Sequence, residues 1–374
     1  MSGLVLYCSY GTNVLQIQGG SRLKFLHMAD IHLGARPDSG QPWSEQRAGE
    51  IWDTFRRALQ LAREEQVDLV LIAGDLFHRP PERQQLREVD YLLASIAPIR
   101  VVLVAGNHDH LDPDGEMTRF GWSRNVTCLS GKEFQTVEFP ELGARVCGRS
   151  YYAQEDRRPL LEGARPGDAS MTRILLAHGG DAKHMPFAAG ELAGSHFDYI
   201  ALGHIHRPGE VVPGKARYAG APEPIDCADT GRHGVILGEA HGHLVRTEFV
   251  ELACRNYRRA QLRCSEEDTT YSLLDRLRGH IEEAGPRDIW QIRLVGERKP
   301  GQSCDTAVLQ RAGCVLEVVD ETRPALNLPR LRQQYRGQLI GRYIESFADA
   351  PEDERQMRAL WYGLEALLAE AEEA

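Results

Sequence analysis

Short apolar runs alternate with amphipathic stretches along the first two thirds of this chain. Five of the runs consist mainly of Val, Ile, Leu and Ala, which is the pattern of strands that are buried on both faces. The predicted strands are 23–29, 69–73, 101–105, 174–177 and 200–202. Between them, apolar residues recur on one helical face and predict helices at 43–65 and 82–97. Alternating strands and helices predict a layered α/β core.

The pattern changes after about residue 251. A strand, a helix, a strand, a short helix and a further strand indicate a small α+β unit, at 259–262, 272–284, 290–295, 306–311 and 315–319. Two more helices with apolar faces are predicted at 331–347 and 352–370. These faces either pack on the chain's own domain or dock onto another protein, and the sequence leaves both interpretations open.

Each predicted strand of the core ends directly in a motif of polar residues and glycine. The motifs are Asp30-Ile31-His32, Gly74-Asp75 with His78 three residues on, Gly106-Asn107-His108-Asp109, His178-Gly179-Gly180 and Gly203-His204-Ile205-His206. Ligands bind at the carboxyl ends of strands in layered α/β proteins, so we expect the five motifs to meet in one cleft. Their carboxylates, imidazoles and single amide are the ligands that a pair of transition-metal ions needs.

Within this set the residue types suggest distinct tasks. A carboxylate suits the position between two metal ions, and Asp75, at a strand end after a flexible glycine, is the best candidate. Asp30 and His32 converge only if the chain turns after Asp30, and Gly34 favours such a turn. Asn107 offers a neutral oxygen. The mixture of His, Asp and Asn favours manganese, iron or zinc over calcium.

The ordered combination of motifs is far more specific than any of its parts, because single Asp-x-His and His-x-His pairs are common without metal. It resembles the calcineurin-like metallophosphoesterase superfamily. Within that superfamily, residues 28–34 and 74–78 resemble the DNA repair exonucleases of the SbcD and YhaO type. The resemblance covers about residues 23–250 and extends more weakly through the C-terminal part.

The resemblance implies a layered metallophosphoesterase β-sandwich flanked by helices, with a small α+β capping domain and C-terminal helices. The expected catalytic domain, capping domain and C-terminal helical segment are 23–250, 251–322 and 323–374. Residues 1–22 lie outside the family pattern. They are expected to form a disordered N-terminal extension, either native or the product of a misplaced translation start.

The resemblance also implies roles for the motif residues. One metal ion would be held by Asp30, His32, Asp75 and His206, and the other by Asp75, Asn107, His178 and His204. His108 would be the catalytic histidine beside the metals. The implied cofactors are two divalent metal ions, with Mn²⁺ as the preferred choice.

Four further residues are each assigned with an alternative. His78 is interpreted as a contact to the substrate phosphate, or else as a loop histidine at the cleft edge. Asp109 either orients the His108 imidazole as part of the catalytic group or caps its own turn. Arg36 and Arg79 follow the first two motifs and bind the nucleic-acid backbone, or else are ordinary surface arginines.

We therefore expect a dinuclear, metal-dependent DNA phosphodiesterase in DNA repair, a 3′-to-5′ exonuclease with endonuclease activity left open. The expected partners are DNA and an SbcC-like coiled-coil ATPase, with a homodimer also left open. Two alternatives remain: a phosphodiesterase for a small molecule, or a structural subunit that recruits the ATPase. A small-molecule enzyme would lack the cap and C-terminal helices, and a structural subunit would not need every ligand.

Composition refines this interpretation. The net charge of −10 is unfavourable for DNA binding, but acidic residues are concentrated after residue 348 and two divalent ions would offset others. Basic residues are mostly arginine, whose planar fork suits phosphate. No run approaches the roughly 20 apolar residues of a membrane span. The eight cysteines form no Cys-x-x-Cys pair, which indicates reduced thiols and a cytoplasmic protein.

Overall fold

A computed structural model of the chain describes residues 22–347 and 354–373. The expected N-terminal extension lies, except for Arg22, outside the described residues. The described residues form two compact units. The first comprises 22–35, 51–222 and 234–252, and the second comprises 36–50, 223–233, 253–347 and 354–373. The expected domain boundaries stay predictions, because the second unit also takes in two segments from within the expected catalytic domain.

The first unit contains the elements that end in the motifs. Its strands are β1 (Arg22–Met28), β2 (Leu69–Ala73), β3 (Arg100–Val104), β4 (Val126–Cys128), β5 (Gln135–Phe139), β6 (Ala144–Gly148), β7 (Thr172–His178), β8 (Tyr199–Gly203), β9 (Gly209–Val212), β10 (Ala216–Tyr218), β11 (Gly234–His241) and β12 (Leu244–Glu251). Its helices are α1 (Ser44–Glu64, from residue 51 on), α2 (Arg83–Ala94), α3 (Glu116–Arg119) and α4 (Ala189–Gly194). The five predicted strands are confirmed as β1, β2, β3, β7 and β8, each within two residues of its expected ends.

These strands form two six-stranded sheets. The first has the order β12-β11-β1-β2-β3-β4, and the second has the order β5-β6-β7-β8-β10-β9. Strands β1 to β4 are parallel, as are β6, β7, β8 and β10. Apolar side chains of both sheets share one core, among them Phe25, Leu71 and Val102 from the first and Val146 and Ile174 from the second. This sandwich confirms the predicted layered α/β fold.

The parallel strands bring their carboxyl ends together. All five residues of β2 and of β8 are buried, which explains their uninterrupted apolar sequences. The ends of β2 and β7 meet across the two sheets, where His178 Nδ1 lies 2.9 Å from the Ala73 carbonyl oxygen. The motifs that follow these strands are therefore neighbours in space.

The second unit contains the expected α+β segment and the C-terminal helices. Its strands are β13 (Tyr257–Cys264), β14 (Ile289–Arg298), β15 (Val315–Asp320) and β16 (Arg323–Pro324). Its helices are α5 (Thr270–Ala284), α6 (Thr306–Leu309), α7 (Leu328–Gln334), α8 (Leu339–Glu345) and α9 (Glu354–Glu373). Strand β14 pairs in parallel with β13, β15 and β16. Leu273, Leu277 and Ile281 of α5 are buried in one cluster with Trp290 and Ile292 of β14.

The three C-terminal helices pack on one another. The buried contacts come from Ile340, Ile344, Leu360 and Leu364. The single helix expected at 331–347 is wrong, because α7 ends at Gln334 and α8 begins at Leu339. Gly337 between them has a φ of +77°, which is incompatible with a right-handed helix. Within 22–347 and 354–373, no helix has both the length and the apolar character that crossing a membrane requires.

Four charged side chains are buried together within the second unit. The Arg47 guanidinium donates to the carboxylates of Glu50, at 2.8 Å, and Glu223, at 2.6 Å. Arg255 Nε donates to Glu50 at 2.7 Å. Buried charges are tolerated where each has an opposite partner. The cluster links three segments that are far apart in sequence, and the protein's own arginines neutralise its carboxylates.

Candidate metal centre

Seven side chains from the five motifs lie close together in the first unit. They are the predicted ligands Asp30, His32, Asp75, Asn107, His178, His204 and His206. Asp75 lies at their centre, because its Oδ2 is 3.2 Å from His178 Nε2 and 3.7 Å from His32 Nε2. Its Oδ1 accepts the backbone N–H of His108 at 2.9 Å. One oxygen of Asp75 therefore faces two groups of ligands while the other fixes the carboxylate in place.

The first group consists of Asp30, His32 and His206, whose donor atoms all lie within 4.8 Å of one another. The two imidazoles face each other, with their Nε2 atoms 3.1 Å apart. The Asp30 carboxylate accepts the backbone N–H of His204, at 2.9 Å to the nearer oxygen. This group corresponds to the first of the two metal sites that the sequence predicts.

The second group forms around the amide of Asn107. Asn107 Oδ1 is 2.9 Å from His178 Nε2 and 3.2 Å from His204 Nδ1. His178 Nδ1 donates to the Ala73 carbonyl oxygen at 2.9 Å, and His204 Nε2 donates to the Asp181 carboxylate at 2.8 Å. Each neutral imidazole therefore turns its lone pair toward the same amide oxygen.

These atoms accept hydrogen bonds and, with both imidazoles neutral, have no hydrogen to share among themselves. Such a convergence of buried acceptors is stable only with positive charge between them. Imidazole nitrogens, carboxylate oxygens and an amide oxygen are all ligands of divalent transition metals. The residues present therefore fit two divalent ions, with Asp75 shared between them.

The pKa values of the buried groups point the same way. Burial lowers the pKa of His178, but the carboxylates of Asp75 and Asp30 outweigh burial and raise this pKa to about 9. Burial raises the pKa of Asp75, yet the neighbouring imidazoles outweigh it and hold the value well below its usual range. Burial raises the pKa of Asp30 to about 6. The centre thus stabilises positive charge, supplied by protons where no cation is bound.

Four of the seven residues adopt backbone angles that L-amino acids rarely use. The φ angle is +52° at both Asp30 and His32, +49° at Asp75 and +96° at His204. The expected turn after Asp30 is therefore made largely by the two ligands themselves, and Gly34, at +90°, completes it. Backbone strain of this kind concentrates at functional sites, where the surrounding structure holds it in place.

Gly106 allows the loop after β3 to approach Asp75 closely. A Cβ atom on this residue would lie 2.6 Å from the Asp75 backbone nitrogen and 2.8 Å from its Cγ. Real side chains do not reach such distances, so a larger residue would displace Asp75 from the centre. Packing against the shared carboxylate thus explains the glycine of the Gly-Asn-His-Asp motif.

The two histidines that are predicted to act on the substrate lie beside the first group. His108 is exposed, and its ring lies 4.8 Å from the ring of His32. His108 Nδ1 lies 3.3 Å from the His78 carbonyl oxygen, so Nδ1 carries the hydrogen of this contact. The His78 ring stacks on that of His108 at 5.4 Å, and its Nδ1 lies 3.4 Å from His32 Nδ1. Both imidazoles border the metal centre, and their roles stay predictions.

Asp109 matches the turn-capping alternative, which corrects its assignment as a catalytic residue. Its carboxylate is buried and accepts the backbone N–H groups of Gly106, at 2.7 Å, and Phe77, at 3.1 Å. Burial raises its pKa to about 7. The side chain joins the two loops that carry Asp75 and Asn107, and it supports the centre through the backbone.

The two predicted phosphate-binding arginines lie in different units. Arg79 is exposed and, with His78 and His108, lines a cleft beside the metal centre. Arg36 is also exposed but belongs to the second unit. Contact of either arginine with DNA stays a prediction.

Two further residues, Asp181 and His184, contribute to the site although no sequence motif marks them. Asp181 accepts a hydrogen bond from His204, and His184 Nδ1 lies 2.9 Å from the same carboxylate. The only signal in the sequence is the pair of glycines after His178, which permits a tight reversal of the chain. Nothing in that signal identifies His204 as the residue that Asp181 meets.

Residues 23–208 match the calcineurin-like phosphoesterase family. This part of the chain is a calcineurin-like phosphoesterase domain. The expectation drawn from the ordered motifs is thereby confirmed. The match covers about half of the chain and includes all seven predicted ligands.

Three relatives of this phosphoesterase domain illustrate its neighbourhood. The chain is 32% identical over 207 residues to the uncharacterized metallophosphoesterase YhaO of Bacillus subtilis, a match that covers 50% of this chain and 49% of YhaO. It is 31% identical over 199 residues to the DNA double-strand break repair protein Mre11 of Methanocaldococcus jannaschii, covering 50% and 52%. It is 26% identical over 277 residues to a subunit of the nuclease SbcCD of Rhodobacter capsulatus, covering 59% and 67%. The chain thus spans about half the length of the first two relatives.

We predict that metal binding to this phosphoesterase domain releases a proton from His178. Without a cation, a pKa of about 9 keeps His178 protonated at neutral pH, whereas a metal ligand must present a free nitrogen. Metal affinity should therefore rise with pH up to about pH 9. Calorimetric titration with Mn²⁺ near neutral pH, in two buffers of different ionisation enthalpy, measures the released proton.

The metal-free protein provides the control for this prediction. Because the folded-state pKa lies above the ordinary 6.5, the protonated imidazole contributes stability in full below pH 6.5 and loses it as pH rises through about 9. Asp75→Asn removes the main cause and should lower the His178 pKa in an NMR titration. Asp53→Asn, which alters an exposed carboxylate of α1, should leave it unchanged. Equal binding enthalpies in both buffers would contradict the prediction.

Proposed function

We propose that this phosphoesterase domain hydrolyses the phosphodiester bonds of DNA with two divalent metal ions. The observation that carries the proposal is the position of Asp75 Oδ2, which faces imidazoles of both ligand groups. The substrate class comes from the relatives, of which one is named for DNA double-strand break repair and another as part of a nuclease. Mn²⁺ is the proposed metal, since the mixed donor set suits it.

Divalent ions in such a centre lower the pKa of a water nucleophile and neutralise charge on the phosphoryl group. The chain's own residues supply the rest of the mechanism. His108 is exposed at the cleft, and its Nδ1 hydrogen is engaged by the His78 carbonyl. Its Nε2 is therefore the atom that delivers a proton to the leaving oxygen, as general acids do.

His78 is proposed as a contact for the substrate phosphate. It stacks on His108 and, with Arg79, lines the cleft beside the centre. Burial and the neighbouring His108 lower the pKa of His78, which keeps the imidazole neutral at physiological pH. A neutral imidazole offers a hydrogen bond that positions the phosphate, while Arg79 supplies positive charge at the cleft edge.

The finer activity is proposed as 3′-to-5′ exonuclease action in DNA repair in the cytoplasm, with endonuclease action as a second outcome of the assay. Two other functions compete with it. A small-molecule phosphodiesterase would prefer cyclic nucleotides to DNA, and a structural subunit would hydrolyse neither. End-labelled duplex and single-stranded DNA, assayed with Mn²⁺ beside bis-p-nitrophenyl phosphate and cyclic nucleotides, distinguishes all three.

We also propose an SbcC-like coiled-coil ATPase as the partner of this chain. A relative is named as one subunit of the nuclease SbcCD. The facing sides of α8 and α9 are filled by their mutual packing. Leu339 of α8 and Tyr362 of α9 are instead largely exposed, and they are the proposed contact points. The homodimer stays an untested expectation.

Asp75→Asn should abolish hydrolysis of every substrate and weaken both metal sites, because it removes the charge that both groups share. Calorimetry with Mn²⁺ and the esterase assay are the measurements. Asp53→Asn, on the exposed side of α1, should behave as the unmodified protein. Two equivalents of Mn²⁺ bound by Asp75→Asn with unchanged affinity would refute the shared position of Asp75.

His108→Ala and His78→Ala form a matched pair, because the two rings stack on each other. His108→Ala should lower turnover of DNA and of the small phosphodiester alike, by about 10²–10⁴, with near-normal metal occupancy. His78→Ala should impair DNA cleavage more than cleavage of the small phosphodiester. Equal loss on both substrates would place His78 in the general chemistry, and no loss on either would support the loop alternative.

The double variant Leu339→Glu with Tyr362→Glu should eliminate co-purification with the coiled-coil ATPase. Its thermal melt and turnover of the small phosphodiester should stay unchanged, since both side chains are exposed. Leu364→Glu is the contrasting variant, because it places charge in the buried contact between the helices and should lower the melting temperature. Undiminished co-purification of the double variant would exclude this surface as the contact.

A further inference from the structure

Asp181 lies outside every predicted motif, yet it determines which nitrogen of His204 carries hydrogen. Asp181 Oδ2 is 2.8 Å from His204 Nε2. A carboxylate only accepts hydrogen bonds, so Nε2 carries the hydrogen and Nδ1 keeps its lone pair. Nδ1 is the nitrogen that lies 3.2 Å from Asn107 Oδ1, within the second ligand group.

The loop after β7 holds the Asp181 carboxylate in this position. Oδ1 accepts the backbone N–H groups of Lys183, at 2.7 Å, and His184, at 3.1 Å. The His184 imidazole also approaches the carboxylate, with Nδ1 at 2.9 Å, and its ring lies 4.4 Å from that of His204. One oxygen therefore fixes the loop while the other faces His204, so the two tasks belong to different atoms.

Gly180 makes this reversal of the chain feasible. Its φ is +132°, and a Cβ atom on this residue would collide with the hydroxyl oxygen of Tyr218. The Tyr218 hydroxyl donates to the Gly179 carbonyl oxygen at 2.9 Å and so packs directly on the turn. The glycines of the His-Gly-Gly motif thus return Asp181 to His204 three residues after a predicted ligand.

We propose that Asp181 is a positioning residue for the second metal ion, because it fixes His204 in the tautomer that offers Nδ1. The inference rests on the proposed two-metal function. Carboxylates that accept from a ligand imidazole set its tautomer and orientation, and their loss weakens metal binding by about 10- to 100-fold. The ion held by His32 and His206 lies on the other side of Asp75 and should keep its affinity.

A third cation between Asp181, His184 and His204 is the competing interpretation, since their donor atoms also lie within 4.8 Å of one another. It requires a lone pair on His204 Nε2. The 2.8 Å contact with Asp181 places a hydrogen on that nitrogen instead. The three side chains therefore form a hydrogen-bonded chain that ends at the second metal position.

Asp181→Asn separates positioning from loop capping. Its amide oxygen can keep the backbone hydrogen bonds of Oδ1, whereas the amide nitrogen then takes the place of Oδ2 and donates toward His204 Nε2. His204 must move its own hydrogen to Nδ1 and lose the lone pair that faces Asn107. We expect one of the two Mn²⁺ ions to bind about 10- to 100-fold more weakly, the other to bind normally, and the thermal melt to stay close to that of the unmodified protein.

Two measurements that do not depend on activity test the proposal. Calorimetric titration of the full chain with Mn²⁺ counts the sites and their affinities. Imidazole ¹⁵N NMR of the metal-free protein shows directly whether Nδ1 or Nε2 of His204 carries the hydrogen. The matched control is Asp168→Asn, because Asp168 caps a similar turn, at 3.0 Å from the Ser170 backbone nitrogen, on an exposed loop.

The outcomes distinguish this proposal from the proposed function. If Asp181→Asn binds both ions normally and His204 keeps its hydrogen on Nε2, Asp181 only caps its loop and the proposal is overturned. A third equivalent of Mn²⁺ that is lost in Asp181→Asn would likewise overturn it in favour of the cation alternative. If the unmodified protein binds fewer than two ions, the two-metal function fails, and the tautomer seen by NMR still decides the role of Asp181.

Discussion

The carboxylate of Asp75 meets imidazoles from both sheets of the sandwich, since His32 follows β1 and His178 ends β7. A buried carboxylate in that position must be matched by positive charge, because desolvation makes an unpaired buried anion costly. The raised pKa of His178 and the lowered pKa of Asp75 are two expressions of this one requirement. The lone pairs around Asn107 add to the same demand. The chemistry of the centre follows from the need to place cations among these acceptors.

The backbone accepts strain to satisfy this requirement. Asp30, His32, Asp75 and His204 all have positive φ angles, and such residues persist only where their surroundings hold them. Hydrogen bonds between the loops do so: the His32 backbone N–H donates to the Asp75 carbonyl oxygen at 3.0 Å, and the His204 N–H donates to the Asp30 carboxylate. Asp109 adds a third link, from the loop after β2 to the loop after β3. The ligands therefore stabilise one another's loops before any metal is considered.

Sequence patterns predict the parts of this structure that depend on local composition. The five continuous apolar runs become strands because burial on both faces leaves no room for polar residues, and the motifs that follow them meet as expected. Strands such as β5 and β9 escape prediction because they are short, partly exposed and mixed in composition. The predicted helix 331–347 fails because the conformation of Gly337 outweighs the apolar periodicity around it. Asp181 could not be predicted, since its task depends on a contact with His204 that arises only in the folded chain.

The chain neutralises buried carboxylates in two different ways. In the second unit, Glu50 and Glu223 meet the fixed charges of Arg47 and Arg255, so that cluster is complete within the protein. In the phosphoesterase domain, the partners of Asp75 are imidazoles, which can exchange a proton for a metal ion as an arginine cannot. An arginine at either imidazole position would satisfy the same charge balance and would exclude a cation. The choice of histidine around a shared carboxylate is thus what separates a metal centre from a structural ion pair in this fold.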